Sequence, residues 1–363
     1  MIEIRSIYIH IPFCERKCLY CDFLSFDNCQ WREKSYFEDL KKEILLYPQN
    51  KFSTIYIGGG TPSSVDYKYI CDLILMLKKD DNSEITVEVN PNSVDYFKFL
   101  EYKKVGVNRI SMGNQSFNSN MLNVLGRIHN SESAEKCFNE ARRAGFNNIN
   151  IDLMFALPGQ NLEMLEKDLE KICRISPEHI SIYSLIWEEG TGLDKKRESG
   201  ELVEVSEDTE ADMYEMIIEY LGKNGYIHYE ISNFAKSGYE SKHNSMYWKN
   251  EEYIGVGLGA SGYVNKIRYK NSSSFDEYHK FISLSEKPQI EKEEIGKKEI
   301  EIYNSILGLR LINEGTKLNE EYYRDVIKKL SDNGLIEKLE NGKYRLTKRG
   351  TFIANSVFES FLI

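Results

Sequence analysis

The sequence predicts an α/β protein in which a parallel sheet curves into a partial barrel of six β-α units, followed by a small winged-helix-like C-terminal domain. Three observations lead to this prediction. Apolar, β-branched runs alternate with helical patterns up to about residue 225, and the polar residues that stand out follow these runs one after another. Beyond about residue 292 the pattern changes to helix, helix, hairpin and helix. In parallel α/β folds, ligands bind on the loops at the carboxyl ends of the strands.

The predicted strands are near-continuous apolar runs, which is typical of a parallel sheet buried on both faces. They cover residues 4–11, 54–57, 85–89, 108–112, 148–154 and 179–185. The helical patterns between and after them cover residues 33–47, 64–79, 93–104, 131–144, 161–174 and 207–223. The charged segment that follows the sixth strand, up to about residue 204, is predicted to be a mobile, solvated loop over the barrel mouth.

Two changes of pattern divide the chain into residues 1–230, the predicted barrel, residues 231–290, an extension, and residues 291–363, the C-terminal domain. In the last part, helices over 294–311 and 319–333 precede an Asn341-Gly342 pair, which is a strong hairpin signal, and a final helix over 348–361. Winged-helix modules often bind DNA, but this one mixes acids and bases about evenly. We expect it to serve as a protein contact or a lid.

The charge and the start of the chain narrow the classes of function. The 363 residues carry a formal net charge of -10, which argues against general binding to nucleic acids or to anionic membranes. No apolar run approaches the length of a membrane span. A strand begins almost at Met1 and leaves no room for a targeting peptide, so we expect a cytoplasmic protein with reduced thiols.

A cysteine loop directly follows the first strand. Cys14, Cys18 and Cys21 are separated by three and then two residues, and closely spaced thiolates are suited to a metal or an iron–sulfur cluster. A site with three cysteines leaves one iron open for another ligand. Zinc would normally need a fourth ligand at knuckle spacing, and Cys29 fits no common motif. A disulfide is disfavoured by the odd number of cysteines and the absence of a secretory signal.

Polar or glycine-rich segments follow the next four strands. Gly58-Gly-Gly-Thr-Pro-Ser63 follows the second strand and lacks the Gly-Lys-Ser/Thr of a Walker phosphate loop. Glu88 ends the third strand, Gln115 and Arg127 follow the fourth, and Asp152 lies on the fifth. Each of these also suits a turn or a helix cap. Together they suit a cofactor that carries an adenosine group, because acids can accept hydrogen bonds from ribose hydroxyls. An arginine could also pair with a carboxylate of such a ligand.

The extension contains His243-Asn-Ser-Met-Tyr247-Trp248, followed by a glycine-rich stretch over 255–262. A histidine beside tyrosine and tryptophan could ligate haem iron while the aromatic rings pack on the porphyrin. A hydrogen-bonded histidine in an aromatic patch is the alternative, and the residues alone leave both open.

As a set, these motifs resemble the coproporphyrinogen-dehydrogenase-like branch of the radical S-adenosylmethionine (SAM) superfamily, and more narrowly the haem chaperones of the HemW type. The resemblance spans nearly the whole chain and includes Tyr8-Ile-His-Ile-Pro-Phe-Cys14, Gly126-Arg-Ile-His129 and Leu157-Pro-Gly159. The dehydrogenases carry a further cysteine where this chain has Phe23, and a longer segment before the cysteine loop. Both differences favour the chaperones.

The resemblance implies a [4Fe–4S] cluster on Cys14, Cys18 and Cys21, with SAM on the open iron. It implies a SAM pocket in which Gly60 and Thr61 meet the amino group, Gly59 supports the turn and Arg127 pairs with the carboxylate. Glu88 and Gln115 would hold the ribose, and Asp152 would complete the pocket. Tyr8 would flank the sulfonium, and Tyr20 would pack near the adenine. It implies haem on His243, with Tyr247 and Trp248 as packing partners.

The function expected from the resemblance is a haem chaperone that delivers haem to respiratory haem proteins. A homodimer and a peripheral contact with the membrane are left open. The first alternative is an oxygen-independent coproporphyrinogen III dehydrogenase, which would carry out a radical oxidative decarboxylation in haem synthesis. The second is a transcriptional sensor that binds DNA through its C-terminal domain, which the acidic balance disfavours.

Overall fold

The computed structural model describes residues 4–48 and 50–362. Its strands are β1 Ser6–Ile11, β2 Phe52–Gly59, β3 Lys79–Val89, β4 Arg109–Gln115, β5 Ile149–Phe155, β6 His179–Ser184, β7 Ile227–Glu230, β8 Asn233–Ala235, β9 Ile254–Val256, β10 Ser261–Val264, β11 Ile267–Asn271, β12 Gln289–Glu294, β13 Ile336–Lys338 and β14 Tyr344–Leu346. Its helices are α1 Glu33–Leu45, α2 Tyr67–Met76, α3 Tyr96–Lys104, α4 Ser119–Val124, α5 Ser131–Arg143, α6 Leu162–Ile175, α7 Gly192–Glu198, α8 Glu207–Lys223, α9 Lys242–Trp248, α10 Phe275–Ser283, α11 Lys297–Gly308, α12 Arg324–Asp332, α13 Lys348–Phe352 and α14 Ala354–Glu359.

A nine-stranded sheet in the order β7-β8-β6-β5-β4-β3-β2-β1-β9 organises the molecule. Each neighbouring pair from β1 to β6 is parallel, which confirms the predicted series of β-α units. β9 adds a further parallel strand beside β1, while β8 runs antiparallel to β6. The sheet ends at β7 and β9 without closing within the described residues, so the predicted α/β fold with a partial barrel is confirmed.

The two faces of this sheet differ, contrary to the prediction of strands that are apolar on both sides. Ile7, Ile9 and Ile11 of β1 are buried in the main hydrophobic core, as are the alternating apolar residues of the other parallel strands. The intervening residues, such as Tyr8 and His10, are polar or aromatic. The alternation is present in the strand sequences, as in Ser6-Ile-Tyr-Ile-His-Ile11, and the prediction of strands that are apolar on both sides overlooked it. The polar face encloses the barrel interior.

The charged segment after β6 is not a loop throughout, which corrects the sequence prediction. Residues 192–198 form α7, and the Thr191 hydroxyl caps it by accepting from the Asp194 backbone N–H at 3.2 Å. Leu193 is buried and donates its backbone N–H to the Leu19 carbonyl of the cysteine loop at 2.7 Å. A helix cap and one buried leucine therefore hold this segment against the cysteine loop.

The C-terminal segment has its own core of buried residues, which includes Leu309, Tyr323, Leu346, Val357 and Phe361. The elements follow the predicted order of two helices, a hairpin and a terminal helical segment. The hairpin forms where Asn341-Gly342 predicted it, with β13 and β14 antiparallel. The terminal helix is divided into α13 and α14, because Ile353 between them has a non-helical backbone (φ -122°, ψ 36°). Among the described residues, no helix combines the length and apolar character needed to cross a membrane.

Candidate cofactor-binding site

A cleft of about 360 Å³ opens at the carboxyl ends of the parallel strands, and we call it the main cleft. The elements that wall it are the cysteine loop, the glycine turn after β2 and the polar faces of β2 to β6. Most of the predicted site residues line it: Cys14, Cys18, Tyr20, Cys21, Gly59, Gly60, Thr61, Glu88, Gln115, Arg127 and Asp152. Parallel strands bring their carboxyl ends to one edge of a sheet, which explains why residues so distant in sequence meet here.

The three thiols of the cysteine loop share the wall of the main cleft. Burial raises the pKa of the Cys14 thiol, and it raises the pKa of Cys21 to about 11. The Arg127 guanidinium donates to the Cys18 sulfur at 3.4 Å. In the described chain, no three His, Cys, Asp or Glu side chains are grouped for a single metal ion. A four-iron cluster takes one thiolate on each ligated iron, so its cysteine ligands are spaced apart and do not converge on a single point. Three thiols spaced along one wall of the cleft suit that group.

The glycine turn after β2 is bonded directly to the backbone of the cysteine loop. Gly60 donates its N–H to the Ile11 carbonyl and Thr61 donates to the Phe13 carbonyl, both at 2.8 Å. A Cβ on Gly60 would lie 2.7 Å from the Phe13 carbonyl oxygen, so only glycine permits this approach. These two amide hydrogens are therefore occupied, and the Thr61 hydroxyl accepts from the Asn90 amide at 3.0 Å.

The Glu88 and Asp152 carboxyl groups both line the main cleft, and each residue is partly buried. Glu88 accepts from the Tyr56 hydroxyl at 2.7 Å and from the Gly59 backbone N–H at 3.1 Å. Burial raises the pKa of the Glu88 carboxyl to about 7. Burial also raises the pKa of Asp152, which accepts from the Asn150 amide at 2.6 Å. Groups that hold or release a proton near neutral pH can accept from, or donate to, the hydroxyl groups of a sugar.

Gln115 and Arg127 are positioned by the irregular end of β4. Gln115 has a φ of +72°, a region that a residue with a side chain seldom adopts, and the pairing with β5 shifts register between Gly113 and Gln115. The bulge aims the glutamine amide into the cleft, where Tyr183 donates to its oxygen at 3.1 Å. Arg127 donates to the Gly113 carbonyl and, at 2.8 Å, to the Asn90 amide oxygen.

Sequence reasoning missed Arg109, which the structure places at the inner end of the main cleft. Its side chain is only 1 % exposed, and its Nε is buried without a hydrogen-bond partner among the described residues. Burial raises the pKa of the Glu88 and Asp152 carboxyl groups, and the nearby Arg109 charge partly offsets this in both. A buried guanidinium of this kind is suited to receive a further anionic group or water. Arg109 begins a strand with the apolar pattern of a core element, and this hid its significance in the sequence.

The predicted haem motif lies at the opposite, amino-terminal end of the barrel strands. It forms α9, whose first backbone N–H groups donate to the Glu84 carboxylate at the base of β3, with Lys242 at 3.2 Å and His243 at 3.0 Å. The His243 ring is 1 % exposed and stacks on Tyr56 with its centroid 5.0 Å away. Its Nδ1 bonds the Thr54 hydroxyl and its Nε2 bonds the Tyr247 hydroxyl, both at 2.8 Å.

Two consequences follow for His243. Burial, with the nearby Arg109 charge, lowers the pKa of its imidazole to about 3, so the ring is neutral. Both ring nitrogens have partners, so the ring must give up one of these hydrogen bonds before it can ligate iron. The helix nevertheless reaches several surfaces, because Asn244 lines the main cleft and Trp248 stacks on Arg310 of the C-terminal segment at 4.3 Å.

Tyr8 and Tyr247 are separated from the main cleft and meet in a second one. This side cleft, of about 560 Å³, lies between the cysteine loop, the end of α9 and the strands β10 and β11. Tyr8 bonds the Nδ1 of His10 through its hydroxyl at 2.9 Å. Phe23 of the cysteine loop lines both clefts, so the two share a wall. The structure therefore places Tyr8 beside the predicted haem motif rather than among the residues of the main cleft.

A partial barrel with three loop cysteines and a polar cleft at its carboxyl edge is the arrangement of the radical SAM class, and residues 8–172 match the Radical SAM superfamily. The superfamily implies a [4Fe–4S] cluster and SAM, and the residues of the main cleft fit both. The chain also aligns over 99 % of its length with a solved structure titled as the coproporphyrinogen III oxidase HemN of Escherichia coli. That match covers 90 % of HemN with a TM-score of 0.85 and 21 % identity, which shows a common fold.

Similar sequences narrow the family. The heme chaperone HemW of Lactococcus lactis is 38 % identical over 99 % of this chain and 97 % of its own length. The heme chaperone HemW of Bacillus subtilis is 38 % identical over 99 % of both chains. This chain belongs to the HemW heme chaperone family, which confirms the resemblance drawn from its motifs.

Proposed function

We propose that this chain is a haem carrier in the cytoplasm, which binds haem and delivers it to respiratory haem proteins. The full-length similarity to HemW chaperones carries this proposal. The geometry supports it, because α9 borders both clefts, with Asn244 in the main cleft and Tyr247 in the side cleft. A ligand near this helix would lie close to the cysteine loop.

In the main cleft, Cys14, Cys18 and Cys21 would hold a [4Fe–4S] cluster with SAM beside it. Arg127 would pair with the SAM carboxylate, and Glu88, Gln115 and Asp152 would contact its hydroxyl groups. When bound, the cluster and SAM supply a site for reductive radical chemistry. The residues of this chain hold and orient them: the Gly59–Thr61 turn stays in place through its bonds to the cysteine loop. Dimer formation that depends on the cluster is part of the same proposal.

His243 remains the predicted haem ligand, but both of its ring nitrogens form hydrogen bonds. Its two hydrogen bonds, to Thr54 and to Tyr247, must be rearranged for a ring nitrogen to reach iron. Loss of the Tyr247 bond would free Nε2, which is the nitrogen nearer the side cleft. Replacement of Tyr247 by phenylalanine should therefore raise haem affinity if His243 ligates iron, because one competing bond is removed.

An anaerobic haem titration of cluster-reconstituted protein, followed by the Soret band, tests the proposal. The native chain, His243→Ala and Tyr247→Phe are compared, with His279→Ala as the control because His279 lies on the surface helix α10. Saturable binding that weakens in His243→Ala and strengthens in Tyr247→Phe is the expected result. Equal binding by the native chain and His243→Ala would retain the carrier but reject the ligand. No saturable binding by the native chain would overturn the function.

One observation makes the enzymatic alternative worth an assay. The buried Arg109 guanidinium lines the main cleft, and it would suit a carboxylate of coproporphyrinogen. Phe23 stands where the dehydrogenases have a further cysteine, so we expect no turnover of coproporphyrinogen III to protoporphyrinogen IX under reducing, anaerobic conditions. Product formation would replace the carrier with a porphyrinogen decarboxylase.

A further inference from the structure

The side cleft has two lysines in its lining, whereas the main cleft has none among the described residues. It is open to solvent, it measures about 560 Å³, and aromatic residues from three parts of the chain line it. One of them, Phe23, is 64 % exposed. Tyr247 packs edge-to-face on Tyr253, with ring centroids 4.6 Å apart, and both residues line the cleft.

Two lysines line the cleft from separate elements. Lys17, on the cysteine loop, donates only to the Phe23 carbonyl, at 3.3 Å. Lys270, on β11, forms no ion pair in the described part of the chain, although Glu291 lies opposite it in the β11–β12 register. Asp22 is the one carboxylate among the residues that line the cleft. The side cleft is therefore an aromatic slot with two ammonium groups that are free to pair with anions.

We propose that the side cleft is the haem site, with the porphyrin ring held between Phe23 and the Tyr247–Tyr253 wall and the two propionates paired with Lys17 and Lys270. This assignment rests on the proposed function and deepens it. A planar, largely apolar ligand with two carboxylates matches both the aromatic walls and the positions of the lysines. The main cleft is less suitable, because the proposed cluster and SAM would occupy it and the Glu88 and Asp152 carboxyl groups line it.

This location has a consequence for how haem and the cluster relate. Phe23 lines both clefts and is two residues from Cys21. Haem in the side cleft would therefore contact the same loop that holds the cluster. A change in the conformation of that loop would affect the binding of both haem and the cluster. Haem in the side cleft would lie beside Tyr247, and the His243 Nε2 behind it would reach the iron only after its bond to the Tyr247 hydroxyl is broken.

The propionate contacts are tested with haem and its dimethyl ester, titrated anaerobically into cluster-reconstituted protein. Exposed ion pairs contribute about 0.2–1 kcal/mol each, so two pairs should favour haem over the ester by roughly two- to thirtyfold in Kd. Lys17→Gln/Lys270→Gln should lose this preference. The control Lys195→Gln/Lys280→Gln should keep it, because those lysines lie on α7 and α10, away from the cleft.

A second pair of variants tests the cavity itself and does not alter charge. Ser261 is an exposed residue of β10 that lines the cleft. Ser261→Trp should fill the slot and abolish saturable haem binding, whereas Ser261→Ala should bind as the native chain does. Cluster absorbance and SAM binding are measured in every variant, and if Lys17→Gln loses its cluster, Lys270→Gln is used alone.

The possible failures are distinguishable. The native chain could bind haem and its dimethyl ester equally, and the double lysine variant and Ser261→Trp could bind haem as the native chain does. That result would overturn this location and leave the carrier function in place. The absence of saturable haem binding by the native chain would overturn the carrier function and this site with it. Loss of binding in both Ser261 variants would point to a folding defect, and the lysine variants would then decide the assignment.

Discussion

Glu43 on α1 makes the stability of this protein depend on pH in a direction unusual for a carboxylate. Its side chain is 0 % exposed and accepts from the Tyr278 hydroxyl at 2.6 Å, the Gly257 backbone N–H at 2.7 Å and the Asn271 amide at 2.7 Å. Burial nevertheless dominates and raises its pKa from 4.5 to about 7. The titratable groups near it include Tyr278, Tyr36, Tyr47 and Tyr269 and, more distantly, Lys287.

The sign follows from the two states. The unfolded chain ionises Glu43 near pH 4.5 while the folded chain keeps it protonated until about pH 7, so the unfolded state binds fewer protons between these values. The free energy of unfolding therefore falls as pH rises through this window. With one pKa unit worth about 1.36 kcal/mol, the loss between pH 5.5 and pH 8 is about 2 kcal/mol.

The perturbation is Glu43→Gln, which keeps the shape and removes the titration. The variant cannot keep all three hydrogen bonds, because a glutamine amide has one acceptor oxygen and the Asn271 amide is held in place by its bond to the Gly257 carbonyl. This cost is independent of pH. Urea unfolding of the native chain and the variant is measured at pH 5.5 and 8.0 in the same cofactor state. We expect the native chain to lose about 2 kcal/mol more than the variant. Parallel losses in the two proteins would refute the reasoning.

Three further predictions concern the main cleft. Cys18→Ala should abolish the charge-transfer absorbance of the iron–sulfur cluster, and an intact spectrum after reconstitution would exclude Cys18 as a ligand. Arg127→Ala should weaken SAM binding roughly tenfold to a hundredfold, as expected for lost hydrogen bonds to a charged group. The control Arg324→Ala, on α12, should not weaken it. Equal SAM affinities of the native chain and Arg127→Ala by calorimetry would remove Arg127 from the pocket. Gly59→Ala should be more destabilising in urea than Gly159→Ala, because both have a positive φ (116° and 78°) but only at Gly59 would the Cβ lie 2.6 Å from a histidine ring on β1. Equal losses would show that backbone strain alone matters there.

Most of the fold could be predicted from the sequence because its signals are local. Each parallel strand carries buried apolar residues, the predicted helices have a 3.6-residue pattern, and the Asn341-Gly342 turn is specified by its own two residues. The predicted helices over 131–144 and 207–223 match α5 and α8 to within a residue. The same signals failed for α7, since the many charges of that segment concealed a cap and a single buried leucine.

The main cleft could also be anticipated, because one topological rule places the carboxyl ends of neighbouring parallel strands together. That rule is enough to assemble Thr61, Glu88, Gln115, Arg127 and Asp152 from five separate stretches of chain. It does not apply to residues at the other end of the strands or to segments added after the barrel. Arg109 was missed because it lies at the amino-terminal end of its strand. The surroundings of His243 were missed because it lies in a segment added after the barrel.

The sequence by itself determined the class of fold, the cysteine loop and the family, because these depend on residue types at fixed spacings. Only the tertiary structure decided which groups share a cavity. It placed Tyr8 in the side cleft with Tyr247, gave both nitrogens of His243 a partner, and left the Arg109 Nε buried without a hydrogen-bond partner among the described residues. These outcomes depend on the path by which α9 and β9 return to the barrel, and such long-range packing is not encoded in any local pattern.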